Sequence, residues 1–186
     1  MPIREQPDRA ASRSLLHAPD GRLVAAYDKI HLFDVDIPGR ESESYRESAT
    51  TIPGAQPVTA DTPFGRIGLT ICYDLRFPAL FHRLGVLGME ILAVPAAFTV
   101  PTGRVHWQPL LQARAIENLA YVVAAGQTGE HAGGRLTYGH SMIVAPWGEV
   151  LTERPDGPGI VCADLDMIEL KRIRTTFPVL RHRREL

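Results

Sequence analysis

What this chain has little of narrows its function before any motif is read. It has only two cysteines, Cys72 and Cys162, too few for a disulfide framework. A reducing compartment is therefore expected, in which each thiol is either core filler or a working nucleophile. The chain also lacks a charge excess, with 20 basic residues against 21 acidic ones and a net charge of -1. That balance removes the electrostatic reason to expect nucleic acid or an anionic membrane surface as a partner. Long apolar runs are missing too. The longest, residues 91–98, falls far short of the ~18 residues of a spanning helix and is interrupted by Pro95. The opening MPIREQPDRAASRSLL has no basic cap followed by an apolar stretch, so no signal peptide is predicted and the cytoplasm is the expected location. No C-x-x-C, H-E-x-x-H or paired-histidine spacing is found, nor a phosphate-cradling glycine loop, so neither metal nor cofactor is expected. Gly139-His-Ser-Met-Ile143 lacks the second glycine of a nucleophile elbow, which leaves a serine hydrolase unsupported.

What is there suits one globular domain: 186 residues, 45% of them hydrophobic. Residues 12–17 and 22–29 flank a Pro19-Asp-Gly21 turn signal and predict a β-hairpin. Between residues 31 and 57 the apolar period disappears, and a loop this long inside a compact domain is usually functional. Residues 66–73 read as a buried strand that gives way to a helix with Pro78 at its first position, which places Cys72 at the junction. Residues 91–96 form a second buried strand, and a helix over 105–118 carries Leu110, Leu111 and Ala115 on its apolar side. Further strands are predicted over 121–125, 139–145, 149–152 and 159–164, with Asp166 capping a last helix to Arg174. This alternation predicts a layered α/β domain, partly parallel and partly antiparallel.

Cys72 admits two readings, a small buried hydrophobe at a strand end or a thiol whose pKa is lowered by the N–H groups and positive end of the following helix. Cys162 has no helix directly after it and is expected to be core filler. Of the 20 basic residues only Lys29 and Lys171 are lysine. A composition bias of the genome produces the same imbalance, but a lysine retained beside an apolar strand suggests a task for a compact ammonium that a planar guanidinium cannot perform. Lys29 directly precedes the long loop, whereas Lys171 lies in a charged terminal helix. His31, His106 and His140 are each conceivable bases for Cys72, although no local signature of papain-like proteases accompanies them.

Five segments occur in a fixed order: Tyr27-Asp-Lys-Ile-His-Leu-Phe-Asp34, Ile71-Cys-Tyr-Asp-Leu-Arg-Phe-Pro78, Pro95-Ala-Ala-Phe-Thr99, His106-Trp107 with Ala113-Arg-Ala-Ile-Glu-Asn118, and Tyr138-Gly-His-Ser141 with Pro146-Trp-Gly-Glu-Val150. Together they resemble the nitrilase superfamily of carbon–nitrogen hydrolases, and within it the Nit branch of ω-amidase-like and deaminated-glutathione-amidase-like proteins. The resemblance implies an α-β-β-α sandwich, commonly assembled as a homodimer, with residues 1–186 forming a partial carbon–nitrogen hydrolase domain. It implies Cys72 as nucleophile, Lys29 as the triad lysine, Glu47 as a supporting glutamate and Arg76 as the holder of a substrate carboxylate. The superfamily's general-base glutamate lies upstream of the lysine motif and has no counterpart here, so the resemblance implies an N-terminally incomplete sandwich.

The expected chemistry is hydrolysis of a small carboxylate-bearing amide through a cysteine thioester, with release of ammonia and no cofactor. Cys72 attacks the carbonyl, and the backbone N–H of Tyr73 and the Lys29 ammonium converge on the oxyanion. A general base contributes ~10²–10⁴-fold. The alternative is a non-catalytic remnant of the same fold.

Overall fold

The computed structural model describes residues 2–6, 8–37 and 43–184, the first five by backbone alone. The predicted hairpin is present. β1 (Pro2–Gln6) pairs antiparallel with β2 (Arg9–His17), which pairs antiparallel with β3 (Leu23–Asp28). At the tip Gly21 adopts φ +84°, a conformation only glycine takes up without strain. The long segment that follows carries short elements that periodicity does not signal. β4 (Asp34–Asp36) and β5 (Ser44–Arg46) pair antiparallel, a 3₁₀ turn spans Glu47–Ala49, and β6 (Thr51–Ile52) joins β2 in parallel to complete a four-stranded sheet.

The larger sheet begins with β7 (Val58–Thr62) and β8 (Gly65–Leu69), and the chain then passes through a 3₁₀ turn over Cys72–Arg76 into α1 (Pro78–Val86). Pro78 starts the helix where its missing N–H costs nothing, as predicted. β9 (Ile91–Ala96), α2 (Val100–Asn118) and β10 (Tyr121–Gly126) follow. A small hairpin of β11 (Thr128–Glu130) and β12 (Leu136–Tyr138) precedes β13 (Ser141–Val144), β14 (Val150–Arg154) and α3 (Met167–Thr176). The six strands lie in the order β14-β13-β10-β9-β8-β7, with β8, β9 and β10 mutually parallel and the outer pairs antiparallel. This is the partly parallel, partly antiparallel sheet expected, in an α/β fold of the nitrilase-like sandwich type.

α1 and α2 cover one face of this sheet. Leu92 and Val94 of β9, Val122 and Ala124 of β10, and Met142 of β13 meet Phe81 and Leu84 of α1 and Trp107, Leu111 and Ala115 of α2. Gly68 is required here, because a Cβ on it would lie 2.5 Å from the sulfur of Met89. The opposite face receives α3, whose buried Leu170 packs with Ile91, Tyr121 and Ala145.

Two local expectations are corrected. α2 starts at Val100, five residues before the predicted 105, because Pro101 is tolerated in its first turn. Residues 159–164 form no strand with any described residue, although burial alternates along them. Alternation marks an extended chain, whereas a strand also needs a paired neighbour, which periodicity cannot report. Cys162 within this segment is consequently exposed and is not core filler.

Candidate active site

The three parallel strands β8, β9 and β10 run in one direction, and the residues just past their carboxyl ends, Cys72, Ala97 and Gln127, line one cavity of about 600 Å³. In an open α/β sheet that end is where ligands bind. β2 contributes Ser12 and Ser14 to the wall, and the segment after β3 contributes Lys29, Phe33 and Glu47. The structure therefore brings together three of the residues expected from sequence, Cys72, Lys29 and Glu47, from segments far apart in the chain.

Each is held by local structure. Ile71 ends the extended run at φ -141°, and Cys72 turns sharply into the left-handed region at φ +51°. A non-glycine residue in that region costs of order 1–3 kcal/mol, and such strain clusters at functional sites. The first bond of the 3₁₀ turn runs from the N–H of Asp74 to the carbonyl of Ile71, which leaves the N–H groups of Cys72 and Tyr73 without an acceptor inside the turn. Behind the turn, Arg114 of α2 donates from Nε and Nη2 to the carbonyl of Leu75 at 3.1 and 2.9 Å, while its guanidinium lies 4.7 Å from the centre of the Phe81 ring. Lys29 is only 3% exposed. Its ammonium pairs with Glu47 Oε2, which also accepts from the Phe33 N–H at 2.6 Å. The Lys29 carbonyl accepts from the Gly54 N–H at 2.8 Å, an approach so close that a Cβ on Gly54 would sit 2.2 Å from the Asp28 carbonyl oxygen.

The thiol's electrostatics run against the sequence expectation. Burial raises the Cys72 pKa above that of an ordinary thiol, the charges of Glu47 and Asp74 raise it further, and the Lys29 ammonium and the Ala97 N–H pull it down. Desolvation wins because the turn after Cys72 is a short 3₁₀ segment, and the first α-helix begins only at Pro78. A raised pKa favours the protonated thiol, so the chemistry of this site calls for a base. Among the described residues lining the cavity, Glu47 is the one carboxylate.

Arg76 does not line the cavity. Three residues make one turn of a 3₁₀ helix, so a side chain four positions after Cys72 points ~120° away from it. Its guanidinium lies instead over the rings of Phe98 and Tyr73, at 5.2 and 5.8 Å, with Nη1 3.1 Å from His106 Nδ1. Besides Lys29, the cations at the cavity are Arg13, paired with Asp28, Arg46, paired with Asp36, and Arg135. Of the three histidines considered as bases, none lines the cavity: His31 bonds Asp74, His106 meets Arg76, and His140 pairs with Glu153. Among the described residues no group of three or more His, Cys, Asp or Glu side chains is placed to hold a metal, and no helix is long and apolar enough to cross a membrane. Sequence reading missed Arg114, although a guanidinium inside the apolar stripe of α2 signals a buried partner.

Comparison with known proteins agrees with this geometry. The profile of the family described as carbon-nitrogen hydrolase matches residues 1–175. A deaminated glutathione amidase of Yersinia enterocolitica is 50% identical over 181 residues, which cover 97% of this chain and 63% of that protein. The chain thus spans somewhat less than two thirds of that relative's length. The crystal structure of the C. elegans NitFhit protein superposes with a TM-score of 0.82 at 41% identity, covering 95% of this chain and 43% of that one. An E41Q mutant of an amidase from Nesterenkonia, with acrylamide added to its active-site cysteine, superposes with a TM-score of 0.76 at 29% identity over 96% of this chain and 66% of that one. On the match of the family profile to nearly its whole length, the chain belongs to the carbon-nitrogen hydrolase family.

Proposed function

We propose that this chain carries the site of an amidase that cleaves a small carboxylate-bearing amide through a thioester on Cys72. The observation that carries the reading is the thiol in a strained left-handed turn, facing the same cavity as the buried Lys29–Glu47 ion pair. The Tyr73 N–H and the Lys29 ammonium stabilise the oxyanion, where each donor is typically worth ~3–4 kcal/mol of barrier. Glu47 fixes the ammonium, and the same carboxylate is the nearest candidate to take the thiol proton. Its Oε2 is already engaged by the Lys29 ammonium and the Phe33 N–H, so turnover by this chain is expected to be slow. Arg135 favours an anionic substrate, whereas Arg13 and Arg46 already pair with Asp28 and Asp36. Deaminated glutathione, the compound in the name of the Yersinia relative, is a carboxylate-bearing amide of this class. From a primary amide the leaving group is ammonia, and from deaminated glutathione it is the amine of the cysteinylglycine half. A cytoplasmic homodimer is part of this proposal, and light scattering tests the dimer.

The test uses an amide electrophile. The chain is incubated with acrylamide or fluoroacetamide and mapped by mass spectrometry, with the exposed Cys162 as internal reference. Adduct formed at Cys72 in preference to Cys162, and suppressed by deaminated glutathione, is the expected result. Adduct confined to Cys162 would overturn the reading.

A further inference from the structure

Asp74 is completely buried and accepts four hydrogen bonds. One carboxylate oxygen takes the Tyr27 hydroxyl at 2.7 Å and the Ile71 N–H at 2.9 Å. The other takes the His31 N–H at 3.0 Å and His31 Nδ1 at 2.8 Å. Tyr27 passes the connection on, since its oxygen accepts from the Ile30 N–H at 3.3 Å. The His31 ring is fixed from its other side by Phe77, stacked at 3.7 Å between centroids with planes 5° apart. These partners are not scattered. Tyr27, Ile30 and His31 bracket Lys29, and Ile71 and Asp74 bracket Cys72. One carboxylate therefore binds both sides of the strand exit that carries the ammonium and both sides of the turn that carries the thiol.

We propose that Asp74, with Tyr27 and His31, is a positioning residue that sets the Lys29 ammonium against the Cys72 sulfur. This deepens the amidase reading and rests on the roles given there to Cys72 and Lys29. The geometry makes its prediction opposite in sign to that of simple electrostatics. The charged groups that act on the thiol are Lys29, Glu47 and Asp74, and Arg76, turned away from it, interacts with it only through its charge. The charge of Asp74 disfavours the thiolate, so removing that charge alone would make Cys72 more reactive. If Asp74 acts by position, removing it releases the ammonium from the sulfur and makes Cys72 less reactive.

The experiment follows alkylation of Cys72 by iodoacetamide from pH 6 to 10, with peptide mapping and Cys162 as reference, in the wild type, Asp74→Asn, Lys29→Met and the double variant. Asp74→Asn is expected to slow Cys72 about tenfold near pH 8, because even ~1 Å of misplacement can cost ~10²-fold. The inflection of its pH profile should rise, and Cys162 should be unchanged. In the Lys29→Met background the same substitution is expected to change the rate less than about twofold, since a positioning residue has nothing left to position. Unchanged or faster alkylation in Asp74→Asn, or an equal slowing with and without Lys29, would overturn the inference. Should Asp74→Asn fail to fold by circular dichroism, Tyr27→Phe removes one of the four bonds, and the same coupling to Lys29 decides. The adduct test asks whether wild-type Cys72 reacts in preference to Cys162 and is shielded by deaminated glutathione, whereas this one asks how Asp74→Asn changes that reactivity, so the two can fail separately.

Discussion

The two faces of the six-stranded sheet are finished in different ways. On one, α1 and α2 bury Leu92, Val94 and Val122 completely and Ala124 and Met142 almost so, with Trp107 wedged between them. On the other, α3 covers the end near Ile91, Tyr121 and Val123, and Pro95 and Ala125, four residues beyond Ile91 and Tyr121 on the same strands, are exposed, Pro95 at the cavity. The first face is held by apolar area, which is non-directional and tolerates any close-packed arrangement. At and behind the cavity wall the work passes to directional bonds: the Lys29–Glu47 pair and the four donors on Asp74. The difference bears on the proposed site, since only the polar side holds a thiol and an ammonium by directional bonds.

The largest expected effect breaks the apolar side. Trp107 is 1% exposed, its ring centre is 4.7 Å from that of Phe98, and its Nε1–H donates to the His140 carbonyl at 2.8 Å. Trp107→Ala should cost about 3–5 kcal/mol through lost transfer energy and the cavity left behind. Urea denaturation measures it, and a loss below about 1 kcal/mol would show that the helix face is not the principal store of stability.

The next effect strikes the polar side. Glu47→Gln leaves a buried ammonium uncompensated. Removing one partner of a fully buried pair costs about 3–5 kcal/mol; with the Glu47 side chain 23% exposed, about 2 kcal/mol is expected. Lys29→Arg should abolish adduct formation at Cys72 as completely as Lys29→Ala, because a guanidinium does not fit the enclosed site of an ammonium. An arginine variant with near-normal adduct rates would mean that charge alone is needed there.

How much of this could be read from sequence follows the same division. The bounds of β9, the start of α1 at Pro78, the hairpin at Gly21 and the cap at Asp166 depend on signals within a few residues, and all were legible. Cys72 and Lys29 were legible because a junction and a lysine scarcity single them out. Asp74 and Arg114 were not, since their meaning lies in partners 43 and 39 residues away. Of the two readings of Cys72, the lowered pKa meets the same limit: burial, which raises it, is set by the whole fold, whereas the following turn is visible locally. β4, β5, β11 and β12 are too short for a period to show.

A pH series sharpens the comparison, because two groups whose pKa burial raises, Tyr27 and Cys72, lie at the polar side. Burial foremost, and then the charge of Asp74, raise the pKa of the Tyr27 hydroxyl, and burial raises that of the Cys72 thiol. The folded state thus binds these protons more tightly than the unfolded chain, where a thiol titrates near ~8.5 and a phenol near ~10. Their contribution is complete below those values and is lost as pH rises through them toward the folded values. Stability should be level to about pH 8 and fall above about pH 9. Tyr27→Phe should cost about 1.5 kcal/mol at pH 7, the low end for a hydrogen bond to a charged group, because Asp74 keeps three other donors. It should also flatten the fall above about pH 10, and an unchanged slope there would remove Tyr27 as its source.

The smallest effect tests the covered end of the same open face. Asp166 caps α3, its Oδ1 accepting from the N–H groups of Ile168 and Glu169 at 2.9 and 2.8 Å, and its own carbonyl accepts from the Tyr121 hydroxyl at 3.2 Å. Asp166→Ala removes the cap and leaves the carbonyl contact in place. About 1 kcal/mol of stability should be lost, as for other N-caps. Because α3 secures Ile91 and Tyr121, at the ends of β9 and β10 opposite the cavity, alkylation of Cys72 by iodoacetamide should proceed at the wild-type rate. A slowed Cys72 in this variant would mean that the two ends of the face are coupled through the strands, and that the site depends on apolar packing as well as on its own polar bonds.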